Sequence, residues 1–340
     1  MIDRYLFKTQ FSDYFSSFVE MKIQQGNKDT AKKVQSLLRD FEMIVVEKSY
    51  GKSFIDKYIY ECWHHETVSV NDVWTVYWKT CYMINVLKYM CHMGMECYIP
   101  PKPKVPSRRY TPNIYSKEEL DKIFIASDRL SIKGKFHLSN VFIMPSLIRL
   151  LYSTSIRIGE ALSIKNDDLY LDRGYIIIRQ TKNRREKIAP INNSMKSVLA
   201  DYLNFRNQLP VKDISAPDNY LFVTGTGRHC AEASVRCWFD RILKEAGLEK
   251  CATNHRRLHD LRHTACIDAF RKLSTKGRDL YSSLPIISAF MGHKSVYDTE
   301  YYLRLTKDMY PETAKLDTSI SQYLSKIAHR SLIISNKEYE

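Results

Sequence analysis

The sequence predicts a mainly α chain with a small antiparallel β-sheet, divided into two domains. Three observations predict it. Apolar residues recur at helical spacing through most of the first hundred residues and again beyond residue 116. Three short strand-like runs cluster at residues 169–191. A proline-rich segment separates the two halves, and 340 residues with 44% hydrophobic content suit two ordinary cores.

The first domain, residues 1–98, reads as a helical bundle. Phe11, Tyr14, Phe15 and Phe18 form one stripe, and Val34, Leu37, Leu38, Phe41, Ile44 and Val45 a second. Val73, Val76, Tyr77, Ile84 and Leu87 make a third. The turn GNKDT at 26–30 separates the first two, with Asp29 or Thr30 expected to cap the second helix. Residues 99–113 are a linker, since 99–112 hold five prolines beside Lys102, Lys104, Arg108 and Arg109. Proline lacks a backbone donor and biases its predecessor towards extended geometry. The four cations suit either a contact with a phosphate backbone or a solvated spacer.

The second domain spans 114–328, with 329–340 a tail. SKEELDKIF at 116–124 opens with a Ser-x-x-Glu capping box, and a largely apolar helical stretch runs to about Leu151. LYLD (169–172), YIIIR (175–179) and EKIAPI (186–191) read as strands, with Asp172, Arg173 and Gly174 as a turn. Helices resume near Ser194, Glu232, His259 and Ser295. RKLSTKGRDLYSSLP at 271–285 reads as an enlarged loop by its Gly, Ser, Pro and charge content. Leu316, Ile320, Tyr323, Leu324 and Ile327 predict a final amphipathic helix.

The net charge of +14 calls for a polyanionic partner or an anionic surface. It is spread over both domains: residues 1–113 carry 16 Lys and Arg against 12 Asp and Glu, a surplus of 4, leaving 10 for residues 114–340. The greasiest run, Val141 to Leu151, is short and interrupted by Pro145 and Arg149, so no membrane partner is expected. The eight cysteines show no C-x-x-C spacing and read as reduced thiols of a cytoplasmic protein. Cys62 with His64 and His65 is a metal-like group without a second half, so neither a metal nor a cofactor is expected.

Five segments of the second domain put forward residues suited to a phosphodiester. Arg157 opens a helix in STSIRIGEAL. Lys182 lies between two strand-like runs in RQTKNRREKIAP, beside Arg184, Arg185 and Lys187, a run that alone means a solvated or phosphate-contacting hairpin. His259 and Arg262 in LHDLRHTA share a helix face. His293 follows Gly292, and Tyr302 comes nine residues later, two turns into a helix capped by Ser295 and Asp298. Two guanidiniums can neutralise the charge that builds on a pentacoordinate phosphorus. A tyrosine, with a pKa of about 10, becomes a nucleophile only beside cations or a base. Tyr302 is preferred to its neighbour Tyr301 because one position turns a side chain by about 100°, and Tyr297 is a distant third.

Taken in order, R-I-G-E-A-L at 157–162, T-K-N-R-R-E-K-I-A-P at 181–190, H-D-L-R-H at 259–263 and M-G-H at 291–293 followed by a tyrosine resemble the tyrosine recombinase, or phage integrase, family. The resemblance implies a two-domain clamp on double-stranded DNA, a helical core-binding domain preceding the catalytic one. It implies strand cleavage and rejoining through a 3′-phosphotyrosyl link at Tyr302, and a tetramer on two DNA sites. A mobile element is the implied setting, with an accessory directionality factor among the partners allowed. By position, Arg157 and Arg262 match the family's catalytic arginines, Lys182 its hairpin lysine, His259 and His293 its histidines, and Glu160 the acidic residue supporting the first arginine. His259 would then serve as base, Lys182 as proton donor to the leaving 5′ oxygen, and Arg184 and Arg185 as DNA contacts.

Three departures stand out. Ser155 occupies a position where the family commonly has glycine, and would bear strain if its φ is positive. Ala189 replaces a β-branched residue. The 271–285 stretch lengthens the interval between Arg262 and His293. Two alternatives share the scaffold or the chemistry: a catalytically silent DNA-binding regulator, and a type IB topoisomerase. A metal-dependent nuclease lacks a suitable cluster of ligands.

Overall fold

A computed structural model describes residues 5–107, 112–131, 140–179, 186–249, 256–293 and 295–302. The chain divides into two compact units, residues 1–110 and 111–340. Among the described residues it is mainly helical, with one three-stranded antiparallel sheet.

The first unit holds α1 (Ser12–Gln24), α2 (Lys28–Glu47), α3 (Lys57–Val70) and α4 (Val73–His92). The first two predicted stripes supply most of its core, Phe11, Phe15 and Phe18 packing with Leu38, Phe41 and Leu87, whereas of the third only Ile84 and Leu87 are buried and Val73 is 71% exposed. Helix α3 is an addition to the three stripes. Its buried face is Ile59, Tyr60, Trp63 and Thr67, interleaved with the Cys62, His64 and His65 that obscure the pattern. Asp56 caps α3 at the Ile59 N–H and Asp72 caps α4 at Trp74 and Thr75. Each such cap contributes about 1 kcal/mol. The expected cap of α2 is corrected: the helix starts at Lys28 with Asn27 in the cap position, so Asp29 and Thr30 already lie in its first turn.

The second unit opens with α5 (Lys117–Asp128), whose Ser116 and Glu119 form both arms of the predicted capping box. Helix α6 (Met144–Thr154) follows, buried along most of its length, and then the short α7 (Ile158–Leu162). Strands β1 (Leu169–Tyr170), β2 (Tyr175–Ile178) and β3 (Lys187–Pro190) form the sheet. In its register Leu169 faces Ile176, and Ile178 faces Lys187. Gly174 closes the first turn at φ +77°, a left-handed conformation that glycine adopts at little cost. Helices α8 (Asn193–Arg206), α9 (Glu232–Glu245), α10 (Asp260–Thr275) and α11 (Leu280–Met291) complete the described unit.

The expected loop at 271–285 is also corrected. Helix α10 runs on to Thr275, and α11 begins at Leu280 with Asp279 capping the Ser282 N–H. Pro285 lies inside α11. The stripe Leu280, Leu284, Ile287 and Met291 packs on Phe270 and outweighs the turn-like composition. The predicted box at Ser295 takes another form: its hydroxyl accepts from the Tyr297 N–H, while the Asp298 N–H donates to the Ser295 carbonyl. The seven described cysteines form no disulfide. Among the described residues no helix is long and apolar enough to cross a membrane, and no group of His, Cys, Asp and Glu could hold a metal ion. The predicted C-terminal helix at 316–327 lies outside the described residues.

Candidate active site

The site is assembled where three sequence segments meet on one guanidinium. Arg262, on the first turn of α10, is buried. One terminal nitrogen donates to the carbonyl of Ser155 and the other to the carbonyl of Met291 at 2.6 Å. The first carbonyl belongs to the turn before Arg157 and the second to the last residue of α11, one position before Gly292. The Arg262 side chain therefore ties together the segments carrying Arg157, His259 and His293. Ser155, which ends α6, has φ +55°, the left-handed conformation on which the sequence-based expectation of strain depended.

Arg157 caps the N-terminus of α7 and stays about a quarter exposed. Its Nη1 donates to Glu160 Oε1 at 2.6 Å and its backbone N–H to Oε2 at 3.0 Å. Glu160 is buried, which pushes its carboxyl up, but the Arg157 N–H, the Lys187 ammonium and the Arg157 guanidinium outweigh that and hold it below its ordinary value.

Tyr302 lies in a helical turn at 297–302, with its ring buried against Cys266, Ile267 and Met291. Its hydroxyl stands 2.7 Å from Nδ1 of His263. The rings of His263 and His293 stack on it with centroids 5.5 and 6.0 Å away. His293 Nδ1 in turn meets the Thr299 hydroxyl at 2.8 Å. Tyr301 touches Tyr302 edge-on and Tyr297 is 83% exposed.

Electrostatics tie these groups into one cluster. Burial raises the Tyr302 phenol above its ordinary value, while Arg262 and Arg157 pull it back. Burial and nearby cations, Arg262 first, lower His293 to about 4. Burial, His259 and Arg257 lower His263 to about 3. His259 keeps an exposed edge yet shifts in the same direction, from the surrounding protein and from Arg262, Arg257 and Arg157. The imidazoles are thus neutral near pH 7, and the positive charge resides on the guanidiniums and the Lys187 ammonium. A cleft of about 490 Å³, lined by Ile158, Arg236, Arg257, His259 and Arg262 among others, opens on this face.

The structure thus brings together Arg157, Glu160, His259, Arg262, His293 and Tyr302. Lys182, Arg184 and Arg185 lie outside the described residues, as do Arg108 and Arg109. Lys102 and Lys104 are exposed. Two residues of the site had no role in the sequence-based reading. His263 sits one helical turn after His259 on the face that carries Arg262, and that spacing was its only signal. Lys187 had none beyond its place in a basic run.

Residues 116–309, more than half of the chain, match the model of the phage integrase family. The tyrosine recombinase XerC of Oceanobacillus iheyensis is 27% identical over 197 residues, 58% of this chain and 58% of that protein, so the chain spans less than two thirds of that relative. Among solved structures, XerH site-specific recombinase bound to a palindromic difH substrate, a post-cleavage complex, matches with TM-score 0.63 at 18% identity, over 89% of this chain and 88% of that one. A lambda integrase dimer bound to a COC′ core site matches with TM-score 0.62 at 14% identity, over 85% and 94%. At those identities the structural likeness speaks for the fold, and the sequence match carries the family: the chain belongs to the phage integrase family, the tyrosine-type site-specific recombinases.

Proposed function

We propose that the chain recombines double-stranded DNA by cleaving and rejoining strands through a covalent link between the Tyr302 oxygen and a 3′ phosphate. The observation that carries this reading is the convergence of Arg157, Arg262 and Tyr302 with neutral imidazoles around them. The two guanidiniums take the charge of the pentacoordinate phosphorus without reorganising. As the phenol attacks, an imidazole accepts its proton. The bond between phosphorus and the 5′ oxygen breaks, and that oxygen takes a proton, with Lys182 the donor on the family pattern. The phosphotyrosyl link keeps the bond energy, so a 5′ hydroxyl from another strand reverses the step without ATP.

Four strands need four nucleophiles, so the working assembly is a tetramer on two DNA sites. Lys102, Lys104, Arg108, Arg109, Arg184 and Arg185 contact phosphates, which makes binding fall steeply with salt. Movement of a mobile element is the setting that this activity serves, with directionality supplied by an accessory factor.

The test is covalent capture. Sheared genomic DNA from the source organism is incubated with wild type or Tyr302→Phe in EDTA, and SDS-stable adducts are recovered and sequenced. Wild type should yield adducts at a defined sequence and the variant none. DNA binding without any adduct would favour a silent regulator, adducts scattered without site preference a topoisomerase, and cleavage abolished by EDTA a metal-dependent nuclease.

A further inference from the structure

Lys187 was expected to lie in a solvated or phosphate-contacting basic run, and the structure turns most of its side chain away from solvent. It opens β3 opposite Ile178, while its strand neighbour Ile188 is 66% exposed. The alternation of a strand therefore turns Lys187 inward. Its side chain is 15% exposed, and its ammonium is shielded from solvent with no hydrogen-bond partner among the described residues. Glu160 Oε2 lies 3.7 Å away, on the carboxylate that also binds Arg157. On the other side is Gly292: a Cβ there would stand 3.2 Å from both Cδ and Nζ of Lys187. The ammonium is wedged between the Arg157–Glu160 pair and the turn that leads into His293.

A buried cation held among the described residues by one long ion pair is costly unless it serves something. Charge indicates what. Within the group of Arg157, Arg262, Lys187 and Glu160 the charges sum to plus two, His259, His263 and His293 being neutral. A pentacoordinate phosphorus carries about two negative charges. Without Lys187, Glu160 cancels Arg157 and only one positive charge remains.

We propose that Lys187 is a positioning residue for strand cleavage, holding Glu160 so that the Arg157 guanidinium faces the phosphodiester instead of being neutralised by its own carboxylate. This rests on the reading of the site given above. The groups facing the ammonium are Glu160 and Arg157 around α7, Arg262 on α10 and His293 after α11. Burial, against the help of Glu160 and with Arg262 and Arg157 adding to it, lowers Lys187 to about 8. Its charge is therefore lost within an accessible alkaline range, which gives the proposal a signature that simple packing would not have.

The experiment uses the full chain and the duplex recovered by covalent capture, nicked beside the cleaved bond so that adduct accumulates. Single-turnover adduct formation is followed at subsaturating DNA from pH 6 to 10 for wild type, Lys187→Met and Lys187→Arg, with folding checked by circular dichroism and DNA affinity by titration. Lys187→Met should bind DNA normally and form adduct on the order of 10²-fold more slowly. Lys187→Arg should restore most of the rate, and the decline of wild type relative to this variant near pH 8 should mark loss of the ammonium proton. A Lys187→Met protein that cleaves at the wild-type rate would overturn the proposal, as would identical pH profiles for wild type and Lys187→Arg. Should Lys187→Met fail to fold, those profiles decide alone. No adduct from wild type would instead overturn the underlying reading.

Discussion

The hydroxyl of Tyr302 stands 2.7 Å from Nδ1 of His263, so the imidazole in contact with the phenol is not His259. With His263 lowered to about 3 by burial and its neighbours, the ring is neutral above pH 5, and in the Nε2-protonated tautomer the phenol donates to Nδ1. That arrangement can accept the phenolic proton as the oxygen attacks. We expect His263→Ala to slow adduct formation roughly 10²-fold, the lower end of what a positioned base contributes, with DNA affinity unchanged. Single-turnover cleavage on a nicked site measures it, and a His263→Ala protein that forms adduct as fast as wild type would rule the role out.

The same burial makes the fold acid-sensitive. His263 and His293 titrate at about 3 and about 4 in the folded chain, below the unfolded value of about 6.5. The unfolded state binds protons first as pH falls, so the stabilisation that these neutral rings provide is intact above pH 6.5 and is lost on descending through that value towards pH 4 and 3. The expected loss between pH 7 and pH 5 is roughly 2–4 kcal/mol. Urea denaturation at stepped pH, followed on wild type and on a His263→Phe, His293→Phe double variant, tests it. A slope equally steep in the double variant would place the sensitivity elsewhere.

Much of the site was legible because its chemistry demands residue types at local spacings that survive as motifs. Arg157 with Glu160, and His259 with Arg262, lie within one turn of each other. Lys187 was not legible, because strand alternation does not say which face is buried when several residues in the run are charged. His263 was passed over because its partner, the Tyr302 hydroxyl, is 39 residues away and only tertiary packing brings them together. In α10 and α11 the composition of 271–285 pointed to a loop, while the apolar stripe of Leu280, Leu284, Ile287 and Met291, which runs on past the end of that window, decided for helix.

Ser155 couples backbone conformation to the position of Arg262. Its carbonyl accepts from the Arg262 guanidinium with the residue at φ +55°. A β-branched residue tolerates that conformation poorly, so Ser155→Val should cost about 2 kcal/mol or more and displace the carbonyl. Ser155→Gly should hold the conformation without strain and keep cleavage near wild type. Melting temperature and adduct yield should fall together in Ser155→Val alone. Wild-type stability in that variant would show that the left-handed turn is not required.

Gly292 should be coupled energetically to Lys187. It ends α11 at φ +66°, where alanine is strained by about 1 kcal/mol or slightly more. The added methyl would also stand 3.2 Å from the Lys187 side chain, which has Glu160 on its far side and little room to retreat. Gly292→Ala should therefore lose both the backbone term and a packing term, and only the second should vanish when Lys187 is shortened to alanine. A double-mutant cycle of Gly292→Ala with Lys187→Ala, read by denaturant unfolding, should give a coupling of about 0.5–2 kcal/mol. Strict additivity would mean that the lysine moves aside freely and that the wedge between Glu160 and Gly292 does not hold it.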